Sequence, residues 1–290
     1  MSFLVIFGRF SDGYSPCPSL CHTPPSTTMG TEIPSEPHKL VFVIVFLLLA
    51  GISNWIALAV IHDFVGRVPL PDTVFRIIPE QLWALEVGDL MVTFCAASMI
   101  IMFIVHKQRV VIMRRTLFII GVLYVFRTLS MAFTQLPSGY ADNLSRCRHQ
   151  LNRSDRTFKV YLMRVIEQTI HVGFQDIENK MLCGDLLYSG HTLIMVIGSL
   201  TVGQYVPNSL RYLHYIVRFC MCLGMTCMVI CRTHYTIDVF FAYCFSVGVF
   251  TIYHAYCEID TYRERKHSIL RTLWIGRIVA WMEENVVPGK

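Results

Sequence analysis

Six long apolar stretches restrict this chain to a membrane fold. Each stretch is close to the roughly 20 residues that a helix needs to cross a hydrocarbon core of ~30 Å. The stretches are too long for the strands of a closed barrel and lack their alternation, so helices must satisfy the backbone in lipid. We therefore predict an all-α, polytopic membrane helix bundle with six transmembrane helices. The predicted spans are 40–61, 82–105, 116–134, 190–206, 212–231 and 236–256.

Composition agrees with a membrane protein and excludes several other classes. The chain is 54% hydrophobic and only 16% charged, whereas soluble domains are about 25% charged. A net charge of +5 is too small to indicate a nucleic-acid partner. Eleven cysteines are present, but none lies in a CxxC pair with partners at zinc spacing. We predict no metal site and no cofactor.

Basic residues in the connections predict the orientation of the bundle. The connection 106–115 holds four Lys or Arg and no acid, and the tail after the last span is also basic. Because short cytoplasmic connections are enriched in Lys and Arg, both should be cytosolic. We expect a disordered cytosolic tail at 1–39, a catalytic membrane domain at 40–256 and a cytosolic tail at 257–290. The connection 135–189 is then lumenal or extracellular.

The lumenal connection contains two kinds of feature that belong to that side of a membrane. Asn143 and Asn152 each begin a glycosylation sequon. Cys147 and Cys183 share the oxidising compartment. They either form a disulfide or remain free, and the sequence leaves both open.

The polar tail after the last span ends in an amphipathic pattern. Apolar residues recur at roughly helical spacing between Ile269 and Trp281, with Arg271 and Arg277 between them. Such a helix either lies on the cytosolic membrane surface or packs on the bundle or on a second protomer. A homo-oligomer is therefore one open possibility.

Two histidines, His191 and His234, lie 43 positions apart and are separated by two predicted spans. A chain that crosses the bilayer twice returns to its starting side, so both should meet at the lumenal face. Asp238 follows His234 by four residues and shares its helical face. An imidazole oriented by a carboxylate can attack phosphorus, and a second imidazole can move the leaving and incoming protons. The pattern predicts phosphoryl-group chemistry on a lipid.

Five further residues are candidates for the same site. Asp185 is either an ordinary loop or N-cap acid, or it supports His191 or contacts a substrate cation. Tyr188 and Tyr235 are either interfacial packing residues or contacts for a quaternary ammonium group. Arg127 lies inside the third predicted span and either snorkels to the interface or faces the bundle and meets phosphate. Thr233 directly precedes the second histidine.

Four motifs follow one another along the chain, namely Pro69–Asp72, Arg115–Arg127 with Leu136-Pro137, Cys183–Thr192 and His234–Val239. In this order they resemble the motifs of the sphingomyelin synthase family, within the wider lipid phosphate phosphatase superfamily. The likeness runs from about residue 40 to 257, and the segment Tyr253-His254 also fits it.

The resemblance implies a transferase of the Golgi or plasma membrane that moves phosphocholine from phosphatidylcholine to ceramide and releases diacylglycerol. It makes His234 the nucleophile, Asp238 its orienting acid and His191 the general acid and base, with Asp185 in support. Vertebrate members have an acidic residue where this chain has Thr233, which leaves choline or ethanolamine open.

Three other functions remain open. Phosphocholine transfer to diacylglycerol changes the acceptor, and hydrolysis uses water as the acceptor. A lipid-binding membrane protein without catalysis is the third.

Overall fold

The computed structural model describes residues 36–170, 181–184, 186–257 and 274–284, without the side chains of residues 144 and 145. The predicted disordered tail up to residue 35, Asp185 and the first part of the predicted tail helix lie outside the described residues.

The described chain is helical, and its β-structure is an isolated bridge between Cys147 and Met181. The described residues also include a 3₁₀ turn, Asn208–Leu210, directly before the helix that begins at Arg211. The helices are α1 (Pro37–Ile61), α2 (Thr73–Ile77), α3 (Trp83–Val105), α4 (Arg109–Phe133), α5 (Asn143–Arg146), α6 (Phe158–Ile170), α7 (Gly190–Tyr205), α8 (Arg211–Ile230), α9 (Thr236–Cys257) and α10 (Trp274–Met282).

Among the described residues, five segments are long and apolar enough to cross a membrane, namely α1, α3, α4, α8 with its 3₁₀ turn, and α9. This confirms the predicted all-α, multi-pass membrane bundle. The remaining predicted span, 190–206, corresponds to α7, whose 16 residues measure about 24 Å. Helix α7 is mostly buried, because α3, α4, α8 and α9 pack around it.

Two helices begin several residues earlier than predicted, and their added turns contain buried charged residues. Helix α1 starts at Pro37, and α4 starts at Arg109 within the predicted connection. Arg114 lies 3.4 Å from Glu36, which also pairs with Lys39 at 2.7 Å. Of the basic residues that predicted a cytosolic connection, Arg114 and Arg115 therefore lie buried in the first turns of α4.

The long connection between α4 and α7 is folded onto the bundle. Helix α6 packs on α1, where Arg164 forms a buried ion pair with Asp63 at 2.9 Å. A disulfide joins Cys147 to Cys183, which settles that open alternative. Asn143 is buried and its amide donates to backbone carbonyls, whereas Asn152 is exposed. Of the two sequons, Asn152 is the accessible one.

The described part of the C-terminal tail also packs on the bundle. In α10, Val279 and Met282 are buried in the core, while Trp274 and Trp281 are 51% and 39% exposed. The helix thus covers the end of the bundle at which α4 begins.

Candidate active site

His191, His234 and Asp238 meet as the two-span argument predicted. The imidazole centroids of His191 and His234 are 5.8 Å apart, and both side chains line one cavity. Nδ1 of His234 lies 3.8 Å from Oδ2 of Asp238. This distance exceeds a hydrogen bond, but catalytic contacts are often loose before substrate binds. His234 is 3% exposed and Asp238 is fully buried.

Asp238 is fixed by two backbone N–H groups from different parts of the chain. Its Oδ2 accepts from the N–H of Tyr235 at 2.9 Å, which closes the first turn of α9 as a capping carboxylate does. Its Oδ1 accepts from the N–H of Leu187 at 3.0 Å. Leu187 has a φ of 86°, an uncommon value for a residue with a side chain. The bond to Asp238 helps to maintain this strained turn.

The first histidine lies at the start of α7, where the local sequence favours a helix N-terminus. Ser189 is the N-cap, and its Oγ accepts from the N–H of Thr192 at 3.1 Å. Arg127 supports this turn from α4, because its Nε donates to the carbonyl of Tyr188 at 2.8 Å. Its Nη1 donates to Oδ1 of Asn54 at 2.6 Å. Arg127 is thus a buried support beneath the histidine turn.

Asp89 is an acid near the first histidine that the sequence analysis did not select. Its Oδ1 lies 4.0 Å from Nε2 of His191, and its side chain is 45% exposed. Each histidine therefore has a carboxylate within about 4 Å. A signal was present in the sequence, because Asp89 is an ionisable residue inside an apolar span.

The motif Pro69–Asp72 holds the start of α9. Asp72 accepts from the N–H and the hydroxyl of Thr236 at 2.9 and 3.0 Å. It also caps α2 by accepting from the N–H of Val74. The hydroxyl of Tyr235 accepts from the N–H of Leu70 at 2.8 Å. The first loop is thereby tied to the helix that carries Asp238.

The cavity between the histidines has an empty space of about 370 Å³, including the solvent at its mouth. Thr233 lines it and accepts a hydrogen bond at 3.3 Å from the hydroxyl of Tyr140. Burial raises the pKa of Tyr140, so the phenol remains a donor. Among the described residues, the lining comprises Ser138, Tyr140, Met181, Leu182, Cys183, Gly184, Leu186, His191, Thr233 and His234.

The other predicted contacts lie around the cavity rather than among its described lining. Tyr188 is 1% exposed and packs in the core against Phe245 at 5.9 Å. Tyr235 packs on Phe75 at 5.3 Å. Arg127 supports the histidine turn from below. Substrate contact by these three side chains stays a prediction.

One wall of the cavity is held by His62 and the disulfide. The N–H of Cys183 donates to Nδ1 of His62 at 2.8 Å, and Cys183 is linked to Cys147. His62 is completely buried. Burial, aided by the nearby Arg67 guanidinium, lowers the pKa of His62 to about 4. The imidazole is therefore neutral at physiological pH and can accept this bond.

The part of the chain that carries the site matches a known family model. Residues 182–255 match the model described as "PAP2 superfamily C-terminal". This segment includes both histidines and Asp238, so the residues of the candidate site lie within the region that resembles this superfamily.

Relatives that match most of this chain define the family. A Caenorhabditis elegans protein named putative phosphatidylcholine:ceramide cholinephosphotransferase 3 is 47% identical over 264 residues, covering 91% of this chain and 76% of that protein. A second C. elegans protein, phosphatidylcholine:ceramide cholinephosphotransferase 2, is 34% identical, covering 88% and 76%. The Homo sapiens protein phosphatidylcholine:ceramide cholinephosphotransferase 1 is 26% identical, covering 88% and 62%. The chain belongs to the phosphatidylcholine:ceramide cholinephosphotransferase, or sphingomyelin synthase, family.

The low pKa of His62 predicts a pH-dependent stability. The unfolded imidazole binds a proton near its ordinary pKa of 6.5, whereas the folded one does so only near 4. Between these values the unfolded state binds more protons, so stability must fall as pH falls from 6.5 towards 4. We expect the Tm of the purified protein in detergent to decrease over this interval, and to decrease less in His62→Gln.

The matched control for this experiment is His149→Gln, because His149 is exposed. That variant should keep the wild-type dependence of Tm on pH. An identical dependence in His62→Gln and wild type would show that His62 is not the group responsible.

Proposed function

We propose that the chain transfers phosphocholine from phosphatidylcholine to the primary hydroxyl of ceramide, giving sphingomyelin and diacylglycerol. The observation that carries the proposal is the pair of histidines facing one cavity with Asp238 behind the second. Membership of the family supports the choice of substrates, since its relatives are named for this reaction. The alternative headgroup is ethanolamine, from phosphatidylethanolamine.

In the first displacement, a ring nitrogen of His234 attacks the phosphorus of phosphatidylcholine. The N–P bond forms while the bond from phosphorus to the glycerol oxygen breaks. His191 donates a proton to that oxygen, so diacylglycerol leaves as a neutral alcohol. Asp238 faces Nδ1 of His234 at 3.8 Å and stabilises the positive charge that develops on this ring.

In the second displacement, the ceramide hydroxyl attacks the phosphocholine carried by His234. His191, now neutral, takes the hydroxyl proton, and the N–P bond breaks to release sphingomyelin. Asp89, with Oδ1 4.0 Å from Nε2 of His191, faces the positive charge that His191 acquires when it takes this proton. Each histidine therefore returns to its starting state after one cycle.

The start of α7 supplies a site for the charged phosphate oxygens. His191 is the second residue of this helix, and it lies in the turn whose Thr192 N–H is capped by Ser189 Oγ. A helix N-terminus stabilises anions through its first N–H groups and through its dipole. The same turn thus provides both the general acid and electrostatic stabilisation of the phosphate.

The side of the cavity formed by Tyr140 and Thr233 is suited to the headgroup. Quaternary ammonium groups donate no hydrogen bonds and favour aromatic faces. Tyr140 provides such a ring, and the guanidinium of Arg146 already lies 4.5 Å from its centroid. Thr233 contributes a neutral hydroxyl to this wall. Neutral and aromatic contacts favour choline over ethanolamine.

We place the cavity on the lumenal or extracellular side of a Golgi or plasma membrane, with both termini cytosolic. The disulfide between Cys147 and Cys183 supports this side, because such bonds persist in oxidising compartments. The exposed sequon at Asn152 is compatible with it. The basic residues at the start of α4 support the opposite end as cytosolic.

A two-donor assay tests the function. Purified protein receives headgroup-labelled phosphatidylcholine or phosphatidylethanolamine together with fluorescent ceramide, and products are separated by chromatography. We expect labelled sphingomyelin as the main product. His234→Ala and His191→Ala should each reduce transfer by roughly 10³-fold or more, because each removes an obligatory step.

His149→Ala is the control for the histidine variants, because His149 is exposed in the connection. Ceramide phosphoethanolamine as the main product would show that the protein transfers the ethanolamine headgroup instead of the choline headgroup. Free phosphocholine without a ceramide product would indicate hydrolysis. Unchanged transfer in His234→Ala would refute the mechanism.

The side of the cavity formed by Tyr140 and Thr233 leads to a second prediction. Tyr140→Leu removes the aromatic ring, so the KM for phosphatidylcholine should rise roughly 3–10-fold, while that for phosphatidylethanolamine changes little. Tyr140→Phe keeps the ring and loses only the bond to Thr233, and it serves as the matched control. Equal effects of Tyr140→Leu on both donors would contradict a role of this ring in choline binding.

A further inference from the structure

A buried polar cluster lies at the end of the bundle opposite the cavity. Its members come from three helices and from the turn after α10, and each is 3% exposed or less. None of them contributes to the chemistry proposed above. The members of this cytosolic cluster are Arg115, Tyr205, Tyr253, His254 and Glu283.

Glu283, directly after α10, forms the centre of the cluster. Its Oε1 accepts from Nε of Arg115 at 3.0 Å and from the hydroxyl of Tyr253 at 3.0 Å. Its Oε2 accepts from Nη2 of Arg115, so the ion pair is bidentate. Burial alone would raise the pKa of Glu283, but Arg115 holds it below its usual range. The carboxylate is therefore charged at neutral pH.

The remaining members form a directed chain of hydrogen bonds from Arg115. Nη1 of Arg115 donates to the hydroxyl of Tyr205 at 3.5 Å. Nδ1 of His254 donates to the carbonyl of Phe250 at 2.8 Å, which leaves Nε2 as the acceptor. The hydroxyl of Tyr205 can then donate to this Nε2, at 2.8 Å. Every donor in this chain has an acceptor.

The helices in the cluster are those that carry the catalytic groups. Helix α7 has His191 in its first turn and ends at Tyr205, and α9 has Asp238 in its first turn and Tyr253 in its last turns. The cluster therefore joins the far ends of both helices, about 20 Å from the cavity by helical rise. Arg115 belongs to α4, which also supports the turn before His191 through Arg127.

We propose that Glu283 is a positioning residue for the active site. By neutralising Arg115 and binding Tyr253, it fixes the ends of α4, α7 and α9 relative to one another, and so fixes the spacing of His191 from His234 and Asp238. Removing the carboxylate leaves the Arg115 cation buried without its counter-ion, which the packed end cannot accommodate without rearrangement. This inference depends on the proposed function only in the experiment that measures phosphocholine transfer.

The first test compares Glu283→Gln with Glu284→Gln in the full-length protein. Glu284 is the adjacent, exposed acid and provides a matched control. We expect Glu283→Gln to reduce kcat for transfer at least tenfold with less than a twofold change in KM, and Glu284→Gln to change neither. Equal kcat values per folded molecule in the two variants would overturn the proposal.

A second readout does not depend on the substrate. The amides of Leu187 and Tyr235 both donate to Asp238, so their hydrogen exchange reports the geometry of the site. Glu283→Gln should accelerate exchange of these amides at least fivefold, and Glu284→Gln should leave it unchanged. Unaltered exchange in Glu283→Gln would contradict the proposal even if the transferred headgroup proved different.

Tyr253→Phe keeps the test decisive if Glu283→Gln does not fold. This variant deletes one hydrogen bond to Glu283 and preserves the ion pair. We expect amide exchange to accelerate and kcat to fall, each by less than in Glu283→Gln. Wild-type values for both quantities would show that the cluster does not position the site.

Discussion

The arrangement of the site depends on the carboxylate of Asp238. It accepts from the N–H of Tyr235 in its own helix and from the N–H of Leu187, 51 residues earlier in the chain. These two bonds join the segment before His191 to the segment that carries His234. The same carboxylate faces the second imidazole. One buried side chain thus joins two distant motifs and faces the proposed nucleophile.

Much of this arrangement could be predicted from the sequence because a membrane simplifies the problem. The apolar stretches determine the helices, and two crossings return the chain to one face, which brings His191 and His234 together. The spacing of His234 and Asp238 places both on one helical face. Boundaries were less predictable, because the buried partners of Arg114 and Arg115 extend α4 into a region that resembled an exposed connection.

Contacts between residues distant in sequence could not be predicted in this way. Asp89 approaches His191 from α3, and Tyr140 reaches Thr233 from the long connection. No spacing rule relates these pairs, because packing alone brings them together. Arg127 is a further example. Its position inside the third span was predicted, but its hydrogen bond to the carbonyl of Tyr188 was not.

The central claim is that the two histidines perform successive displacements through a phosphohistidine. The most direct measurement is the stereochemical course of transfer from a phosphatidylcholine analogue that is chiral at phosphorus to ceramide. Each in-line displacement inverts the phosphorus centre. Two displacements, with His234 as the intermediate carrier, predict net retention of configuration. Net inversion would mean that ceramide attacks the donor directly and would contradict the account.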